Sequence, residues 1–378
     1  MELSIIIPCL NEEETLGTCL NKATTTLNKN NVNYEIIVAD NGSQDNSIQI
    51  ASSFKNVRIV NVQEKGYGIA IRTGIAQANG KYILMADADD SYDFNDVMKF
   101  LTKIREGYQL VQGCRFPSGG GKIEKGAMPL SHRVFGNPFL SKIARTIYGI
   151  PFKDIYCGMR CFERKIFLKK DYFSKGMTFA VENLIKLFSS DAKCTEVPIT
   201  LYKDGRIKNR SHLKTISDGL QTLKLLLICS PKWLYFYPSL ILLIFGLNEF
   251  FSFFNNINDF SKLSEFEYIK LLKINFIFIL SLQVFSIGIF TNLIAYQIGI
   301  QKKDIIIRSM KYFNINKFLI LILVILLIII YVFNFTSLNL DESLKRLITY
   351  CSLFFGIIIF FNALFISLLE LTKFDKQS

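Results

Sequence analysis

The sequence predicts an α/β protein in which a doubly wound, mostly parallel sheet is followed by an α-helical transmembrane module. Two observations point to this fold class. Short apolar runs alternate with segments of helical periodicity from residue 3 to residue 86, which is the pattern of successive strand–helix units. Long apolar runs fill residues 233–370, and the mean hydropathy of +0.28 is higher than that of an ordinary soluble protein.

Four strands are predicted in the first part of the chain, with helical segments between them. The strands are expected at residues 3–7, 34–39, 57–62 and 81–86. The first helix is indicated by apolar residues at helical spacing, namely Leu16, Cys19, Leu20, Ala23 and Leu27. Another helix is expected at residues 68–78. Strands that alternate with helices in this way favour a parallel, doubly wound sheet.

Polar side chains follow three of the predicted strands. The fourth strand runs directly into Asp87 and Asp89, whose Cα atoms would be about 6–7 Å apart in extended backbone, with both side chains on one side. The first two strands are followed by Pro8, Asn11, Glu12 and Asp40. Ligands bind at the carboxyl ends of strands in open α/β sheets, so these residues are expected around one site. The carboxylate pair suits a hard divalent cation that also binds substrate phosphates.

Several functional classes are excluded by composition and by missing motifs. The first strand is followed by Pro8-Cys9-Leu10-Asn11-Glu12 in place of G-x-G-x-x-G, which excludes a dinucleotide-binding oxidoreductase. The net charge of +12 is attributed to contact with a membrane surface and phosphate groups, and without a nucleic-acid-binding motif no nucleic acid partner is expected. The eight scattered cysteines are expected as buried thiols in a reducing compartment.

Three motifs at the predicted strand ends carry a resemblance to a known family. They are Pro8-x-x-Asn11-Glu12-Glu13, Asp40-Asn41-Gly42-Ser43-x-Asp45 and Asp87-Ala88-Asp89. In this order and spacing they resemble family 2 glycosyltransferases, which are inverting enzymes with the GT-A fold. The segments at residues 113–115, 128–133, 154–160 and 196–200 are similar to the branch typified by dolichyl-phosphate mannose synthase and related polyprenyl-phosphate sugar transferases. The resemblance covers roughly residues 1–215 and, more loosely, the apolar tail.

The resemblance implies which residues bind the donor, a UDP- or GDP-hexose. Pro8, Asn11, Glu12 and Asp40 would bind the nucleotide, and Asp40 would face the base. Lys65 stands in a glycine turn and is a further candidate for contact with the diphosphate.

A metal site and a set of basic residues are also implied by the resemblance. Asp87 and Asp89 would hold Mg²⁺ or Mn²⁺ on the donor diphosphate and, with Arg115 and Arg133, would form the catalytic set. Ser91 stands where many relatives carry a glutamine that helps to bind the metal, so its part in the metal shell stays open. One further basic residue, which is Arg206, Lys208 or Arg210, would contact the diphosphate and the acceptor phosphate.

The chemistry of the acceptor decides whether a general base is needed. A sugar hydroxyl has a pKa far above 7 and needs a base, for which Asp89 or Asp90 would be available. A polyprenyl phosphate arrives as an anion, because the second ionisation of a phosphate monoester lies near 6. Beyond these residues, Glu182 is expected in solvent on a helix that covers the sheet, and Arg160 is expected to contact phosphate or pair with Asp154.

Composition divides the chain into three parts. Residues 1–212 are predicted as a catalytic domain and residues 231–372 as a transmembrane module. Residues 213–230 have apolar positions at three- and four-residue spacing, which predicts a helix on the membrane surface or, alternatively, a packed helix of the catalytic domain. Four membrane spans are predicted, at residues 233–253, 274–300, 318–335 and 347–370.

The distribution of basic residues predicts the orientation in the membrane. Lysine and arginine are frequent before the first predicted span and between the second and third, whereas residues 254–273 carry balanced charges. Basic loops stay in the cytoplasm. The protein is therefore expected to be a multi-pass protein of the bacterial inner membrane or its equivalent, with the catalytic domain and both termini cytoplasmic. Whether the protein forms a homo-oligomer is left open.

These expectations together describe a metal-dependent, inverting hexosyltransferase. It would move a single hexose from a nucleotide sugar to undecaprenyl or dolichyl phosphate at the cytoplasmic membrane face. One sugar per turnover is expected, because the single tryptophan, Trp233, lies in the apolar tail and the Q-x-x-R-W segment of processive relatives is missing. The alternatives are the same fold acting on another lipid acceptor, such as diacylglycerol or a lipid-linked glycan, and a non-catalytic membrane protein that binds sugar nucleotides.

Overall fold

The computed structural model describes residues 1–207, 215–228, 230–256, 264–302, 304–310 and 342–371. The chain divides into two units. The first unit contains Met1–Leu226 and Ile298–Lys302, and the second contains Leu227–Gln297 and Lys303–Ser378.

The first unit alternates strands and helices, as the sequence predicts. Its strands are β1 (Leu3–Cys9), β2 (Tyr34–Asp40), β3 (Val57–Asn61), β4 (Tyr82–Met85), β5 (Leu110–Cys114), β6 (Lys122–Ile123), β7 (Arg160–Glu163), β8 (Cys194–Pro198) and β9 (Thr200–Leu201). Its helices are α1 (Leu16–Lys29), α2 (Ser47–Ser52), α3 (Tyr67–Gln77), α4 (Val97–Arg105), α5 (Asn137–Tyr148), α6 (Arg164–Leu168) and α7 (Phe179–Phe188). A further helix, α8 (Thr215–Ile228), follows.

The main sheet has seven strands in the order β3-β2-β1-β4-β7-β5-β8, and β6 pairs with β9 in a second, two-stranded sheet. The pairs β1–β2, β1–β4, β2–β3 and β5–β8 are parallel. Strand β7 runs antiparallel to both of its neighbours, β4 and β5. The expected α/β fold with a mostly parallel sheet is therefore confirmed.

Helices on both faces of the sheet bury its central strands. Leu3, Ile5 and Ile7 of β1 lie in one core with the apolar residues of α1 and α4. Ile6 lies on the opposite face of β1, against α3. A Cβ on Gly74 of α3 would stand 2.7 Å from Ile6 Cγ2, so the absence of a side chain lets the helix approach the strand closely. Burial on both faces explains why β1 reads as a continuous apolar run.

The strand register brings the ends of several strands to one edge. Cys9 at the end of β1 pairs with Asp40 at the end of β2, and Ile6 pairs with Met85 at the end of β4. Met85 in turn pairs with Arg160, the first residue of the antiparallel strand β7. The segment that precedes β7 therefore reaches the same edge as the residues that follow β4.

Helix α7 packs against α3 and Glu182 is fully buried, so the expectation that Glu182 lies in solvent is wrong. Its carboxylate pairs with Lys186 at 2.7 Å and accepts hydrogen bonds from the backbone N–H groups of Phe173 and Ser174. Lys186 also donates to the backbone carbonyl of Asp171. The preceding loop thus supplies the polar partners that water would otherwise provide, so both charges can be buried.

The second unit is helical. Among the described residues it contains α9 (Tyr237–Asn256), α10 (Glu265–Gln297), α11 (Ile305–Met310) and α12 (Glu342–Leu371). Two helical stretches there are long and apolar enough to cross a bilayer, Lys232–Asn256 and Glu265–Gln297. Ser281 donates a hydrogen bond of 2.8 Å to the backbone carbonyl of Ser239, which ties α10 to α9. Such a bond is a common means of helix association in membranes.

The bounds of the predicted spans are corrected in part. The first helical stretch continues to Asn256, and α10 begins at Glu265, well before the expected start at 274. Ser264 and Glu267 explain the early start, because each side chain bonds the backbone N–H of the other, at 3.4 Å and 2.7 Å. This capping box stabilises a helix end outside the apolar run. The predicted span 318–335 lies outside the described residues, and 347–370 falls within α12.

Helix α8 corresponds to the predicted amphipathic segment 213–230. Thr222 and Leu226 are buried, whereas Leu220 is 62% exposed. One side of the helix therefore packs against protein, and its contact with a membrane stays a prediction.

Candidate active site

A cavity of about 250 Å³ lies at the carboxyl edge of the main sheet. Six residues that the sequence analysis selected line it: Pro8, Glu12, Lys65, Asp87, Asp89 and Arg206. Asn41, Tyr67 and Met177 also line it. The loops after β1, β2 and β4 thus meet where ligands bind in open α/β sheets.

Asp87 follows β4, and two neighbours fix its carboxylate. The hydroxyl of Tyr67 donates a hydrogen bond of 2.9 Å to Asp87 Oδ1. A Cβ on Gly158 would stand 2.7 Å from Asp87 Oδ2, so the backbone before β7 approaches this oxygen closely. Burial, followed by the negative charge of Asp89, raises the pKa of the Asp87 carboxyl. A cation at this position would favour the ionised form.

Asp89 is fixed by Ser91 and contacts Arg206. The hydroxyl and the backbone N–H of Ser91 both donate to Asp89 Oδ1, at 2.6 Å and 3.0 Å. Arg206 Nη2 lies 3.5 Å from Asp89 Oδ2. The backbone between Asp89 and Ser91 turns at Asp90, whose φ of 56° is in the left-handed region. That turn directs the Asp90 carboxylate to Lys22, at 2.8 Å, so the expected alternative base is bound in an ion pair.

Arg206 connects three carboxylates at the edge of the cavity. Its guanidinium lies 3.0 Å from Glu12 and 2.6 Å from Asp204, in addition to its contact with Asp89, and its side chain is 6% exposed. Burial raises the pKa of Glu12 to about 7, although the Arg206 charge opposes this rise. The guanidinium thus partly neutralises an acidic cluster that burial makes costly.

Asp40 and Asn41 shape the loop after β2. Asp40 accepts hydrogen bonds of 3.1 Å from the backbone N–H groups of Gly42 and Ser43. The Asn41 amide donates to the carbonyl of Glu64 at 2.8 Å, and Lys65 Nζ donates to the carbonyl of Asn41 at 2.5 Å. These bonds tie the loops after β2 and β3 together.

Asn11 joins the loop after β1 to the same region. The side-chain oxygen of Asn11 accepts a hydrogen bond of 2.8 Å from the backbone N–H of Gln44. The backbone N–H of Asn11 donates a hydrogen bond of 2.9 Å to Ser43 Oγ. Its φ of 58° is one that asparagine adopts more readily than most residues.

Arg115 and Arg133 are not among the residues that line the cavity. Arg115 is buried and bonds both carboxylate oxygens of Asp154, at 2.6 Å and 2.9 Å. Asp154 therefore pairs with Arg115, whereas Arg160 donates to the carbonyls of Ala180 and Cys157. Arg133 is exposed on a π-helical turn, His132–Gly136. Arg210, like Lys208, lies outside the described residues.

The residues at the cavity fit a divalent metal that also binds a substrate. Within the described ranges no group of three or more histidine, cysteine, aspartate or glutamate side chains could hold an ion by itself. Mg²⁺ commonly takes one or two carboxylates together with substrate phosphates and water, and Asp87 with Asp89 would satisfy that requirement. Burial is the largest cause of the raised pKa of Asp87, and the negative charge of Asp89 is the next.

Sequence reasoning missed four residues of this region. Tyr67 and Gly158 border Asp87, Asp204 holds Arg206, and Met177 lines the cavity. Tyr67 lies two residues after Lys65, in the glycine turn from which the sequence analysis selects only Lys65. The signal for Asp204 was its position two residues before a candidate arginine. Gly158 lies in the segment 154–160 that carries the resemblance, but its closeness to Asp87 depends on the tertiary fold. Met177 carried no local signal.

Comparison with known proteins gives consistent matches. The family model described as "Glycosyl transferase family 2" matches residues 4–169. The chain is 32% identical over 246 residues to the low-salt glycan biosynthesis hexosyltransferase Agl6 of Haloferax volcanii, which covers 65% of this chain and 58% of that protein. It is 31% identical over 218 residues to the glycosyltransferase AglJ of the same organism, covering 57% of this chain and 67% of that protein.

A third relative and one solved structure have lower identity. The dolichyl-phosphate hexose transferase of Haloferax volcanii is 27% identical over 200 residues, which cover 52% of this chain and 82% of that protein. The structure of glucosyl-3-phosphoglycerate synthase from Mycobacterium tuberculosis with Mn²⁺, UDP and glucosyl-3-phosphoglycerate is 22% identical, with a TM-score of 0.47. That match covers 60% of this chain and 78% of the solved one.

Proposed function

The chain belongs to glycosyl transferase family 2, and on that premise we propose that it transfers a single hexose from a nucleoside-diphosphate sugar to a polyprenyl phosphate. The observation that carries the proposal is the convergence of Asp87, Asp89 and Arg206 on one cavity at the carboxyl edge of the sheet. This set offers two carboxylates for a metal and one guanidinium for phosphate oxygens. It is the chemistry that a sugar diphosphate requires.

In this proposal the donor binds across the loops after β1, β2 and β4. The nucleoside would lie against Pro8 and Asn41, with its diphosphate directed toward Asp87 and Asp89. Lys65 is the further cation at the cavity that could approach the diphosphate. The ties between these loops would hold the nucleoside pocket in shape before the donor arrives, which lowers the entropic cost of binding.

Mg²⁺ or Mn²⁺, when bound, would neutralise the charge that develops on the leaving diphosphate. Asp87 and Asp89 would hold the metal ion. Tyr67 and Ser91 would keep the two carboxylates oriented, since each donates a hydrogen bond to one of them. Arg206 would exchange some of its hydrogen bonds with the carboxylates for hydrogen bonds with the donor phosphates, because its planar guanidinium fits phosphate oxygens.

The transfer is a single displacement with inversion. An oxygen of the acceptor phosphate forms a bond to the anomeric carbon while the bond from that carbon to the donor diphosphate breaks. The bonding electron pair leaves with the nucleoside diphosphate. Because the acceptor phosphate is already ionised near neutral pH, no proton has to be removed from it. The ion pair between Asp90 and Lys22 agrees with such a reaction, since Asp90 need not act as a base.

Two further observations support a lipid-linked phosphate as acceptor. One relative is named dolichyl-phosphate hexose transferase, and it matches more than half of this chain. Two helices of the second unit are long and apolar enough to cross a bilayer. The proposal includes a multi-pass protein with its catalytic unit and both termini in the cytoplasm.

Transfer of radiolabel tests this function. The purified chain in detergent is given a panel of labelled UDP- and GDP-hexoses, undecaprenyl or dolichyl phosphate, and Mg²⁺ or Mn²⁺. A labelled lipid product that is labile to mild acid and depends on the metal is expected. Asp89→Ala should abolish its formation. The control Asp191→Ala removes an exposed carboxylate that pairs with Lys302 and should leave transfer unchanged.

The acceptor panel distinguishes the proposal from its alternatives. Diacylglycerol and a lipid-linked glycan are assayed beside the prenyl phosphates. If a lipid hydroxyl accepts the sugar while the prenyl phosphates do not, the phosphate-acceptor assignment is overturned. Donor binding without transfer to any acceptor would indicate a non-catalytic sugar-nucleotide-binding protein.

A further inference from the structure

The loop between α6 and α7 forms part of the wall of the candidate active site. We call residues 169–178 the α6–α7 loop. Met177 of this loop is half-buried and lines the cavity. Apart from Met177 and Arg206, the described residues that line the cavity all fall in the stretch from Pro8 to Asp89. The loop thus adds a large apolar side chain to a pocket that the first strand–helix units otherwise build.

The buried pair Glu182 and Lys186 holds the backbone of this loop. The carboxylate of Glu182 accepts hydrogen bonds from the backbone N–H groups of Phe173 and Ser174, at 3.0 Å and 2.8 Å. Lys186 donates to the backbone carbonyl of Asp171. The two side chains also pair with each other at 2.7 Å. One ion pair therefore binds the loop at three backbone groups.

Aromatic and basic side chains hold the same stretch of the loop. The ring of Tyr172 stacks on Phe167 of α6, with centroids 4.4 Å apart. Arg72 of α3 donates to the backbone carbonyl of Tyr172. The ammonium of Lys186 lies 4.6 Å from the ring centroid of Phe173, which is within the range of a cation–π contact. The loop thus has partners on α3, α6 and α7.

The loop also lies directly on the glycine turn that enters α3. The backbone N–H of Gly68 donates a hydrogen bond of 2.8 Å to the carbonyl of Lys175. A Cβ on Gly66 would stand 2.5 Å from the same oxygen, and one on Gly68 would stand 2.6 Å from the carbonyl oxygen of Ser174. The two glycines therefore permit a close approach of the backbones. Tyr67, which lies between them, lines the cavity, so this contact is next to the candidate site.

These contacts fix the backbone on both sides of Met177. Met177 lies two residues after Lys175, which is bound to the glycine turn, and two residues before α7 begins at Phe179. Glu182 stands in the first turn of that helix. A side chain held in place in this way loses less conformational freedom when a ligand binds against it.

Stability alone does not account for the buried pair. Replacing a buried ion pair by apolar residues of similar volume is often neutral or stabilising. Two apolar side chains would fill the space of Glu182 and Lys186, but they could not bond the backbone groups of the α6–α7 loop. The hydrogen bonds to the loop are therefore what the charged pair supplies and an apolar pair would not.

We propose that Met177 contacts the bound donor and that Glu182 and Lys186 position it there through the α6–α7 loop. Met177 is then a donor-binding residue, and Glu182 and Lys186 are positioning residues. The inference rests on the proposed function, because it takes a nucleoside-diphosphate sugar as the ligand of the cavity.

Calorimetric titration of the full chain in detergent tests the donor contact. A panel of UDP- and GDP-hexoses with Mg²⁺ is titrated first, and the donor that the native chain binds most tightly is the probe. Met177→Ala should weaken its binding about tenfold, since even one methylene in an apolar pocket is commonly worth that factor. Unchanged affinity in Met177→Ala overturns the contact.

Met98→Ala is the matched control for loss of a methionine. Met98 is a half-buried residue of α4 that packs against the core, and it is not among the residues that line the cavity. Its replacement should leave donor affinity at the native value.

The double variant Glu182→Met, Lys186→Met tests the positioning role. It releases the loop without leaving an unpaired charge in the core, and its melting curve identifies a temperature at which it is folded. Donor affinity at that temperature should fall about tenfold, as in Met177→Ala. The control Glu2→Gln, Arg105→Gln removes an exposed ion pair of the first unit and should leave donor affinity unchanged. Native affinity in the Glu182→Met, Lys186→Met variant overturns the positioning role.

A triple variant decides whether the pair acts through Met177. Because residues that act as one unit are not additive, Met177→Ala combined with Glu182→Met and Lys186→Met should again lose about tenfold in donor affinity. A loss of about a hundredfold would mean that the pair and Met177 act independently, as a purely structural role of the pair predicts, and would overturn the positioning role.

The outcomes separate this inference from the proposed function. A native chain that binds no UDP- or GDP-hexose overturns both. Donor binding by the native chain that is equally tight in Met177→Ala overturns this inference alone. Donor binding with the expected losses, but without transfer to a prenyl phosphate, supports this inference and overturns the proposed acceptor.

Discussion

Tyr67 and Asp87 are joined by a hydrogen bond of 2.9 Å between the phenol hydroxyl and the carboxylate Oδ1. The bond fixes the rotation of the carboxylate, and Gly158 limits the space beside its second oxygen. Asp87 is thus held in one orientation by two residues that come from different parts of the chain. A ligand held in advance by such partners binds metal more tightly than one that must first be ordered.

Tyr67→Phe is expected to weaken metal binding while leaving the fold intact. Loss of an outer hydrogen bond to a metal ligand commonly costs 10–100-fold in affinity, and a decrease of about that size is expected for Mn²⁺ in the presence of UDP. Electron paramagnetic resonance of free Mn²⁺ measures it. Tyr34→Phe is the control, because this buried tyrosine also donates a hydrogen bond, to Asn28 at 3.0 Å, at the opposite end of the sheet. Unchanged Mn²⁺ affinity in Tyr67→Phe would refute the positioning role.

Arg206→Gln should change metal and donor binding in opposite directions. The guanidinium neutralises Glu12 and Asp89, so its removal leaves more negative charge for a cation, and Mn²⁺ alone should bind about tenfold more tightly, or about 1.4 kcal/mol. The donor should bind more weakly because its diphosphate loses a cation. Calorimetric titration with Mn²⁺ and then with the nucleotide sugar measures both. Lys99→Gln, at an exposed lysine, should change neither affinity, and weaker binding of Mn²⁺ alone to Arg206→Gln would be inconsistent with this account.

Lys186→Met should destabilise the first unit far more than Lys302→Met. Removing one partner of a buried ion pair commonly costs 3–5 kcal/mol, because Glu182 would keep its charge without a counterion. The Lys302–Asp191 pair is exposed, and its loss should cost at most about 1 kcal/mol. For a unit of this size the buried variant should lower the melting temperature by about 6–20 °C.

The double variant Glu182→Met, Lys186→Met provides a check on the cause. It removes the unpaired charge and should recover part of the loss in melting temperature. Equal destabilisation by Lys186→Met and Lys302→Met would mean that burial of the pair is not what makes it important.

Glu12 should make the stability of the first unit depend on pH. Because burial raises the pKa of Glu12 to about 7 from an ordinary value of 4.5, the folded state binds the proton more tightly than the unfolded state. The stabilisation is complete below about pH 4.5 and is lost as pH rises through 7. Glu12→Gln lacks this proton, so its melting temperature relative to the native chain should rise between pH 5 and pH 8. Parallel melting curves over that range would contradict the raised pKa.

The sheet was predictable where its signal is local. Strands β1, β2, β3 and β4 are short apolar runs that alternate with helices, and each was expected within a few residues of its observed bounds. Strand β7 was not predicted, since it begins with Arg160, a charged residue that is fully buried in the structure. Burial of Arg160 depends on the backbone carbonyl groups of Ala180 and Cys157, which accept hydrogen bonds from its guanidinium. No pattern in the sequence indicates these two contacts.

The candidate site divides in the same way. Asp87 and Asp89 could be found because their spacing follows from strand geometry, and the cavity contains both. Arg115 could not be placed from sequence, because its partner Asp154 is 39 residues away and accepts hydrogen bonds from both Nε and Nη2 of the guanidinium. Glu182 and Lys186 are four residues apart, which is also the spacing of a solvated helix pair, so only the tertiary fold distinguishes the buried case.

The antiparallel strand β7 has a consequence for the order in which the protein forms during synthesis. Strand β4 ends at Met85, but its outer neighbour begins only at Arg160, and β5 has no partner in the sheet until β7 or β8 emerges. At about 5–20 residues per second, the ribosome needs roughly 4–15 s to make the intervening chain. During that interval the edge of β4 in the nascent sheet is unpaired. The proposed donor pocket is then incomplete, because Gly158, which limits the space beside Asp87, has yet to leave the ribosome.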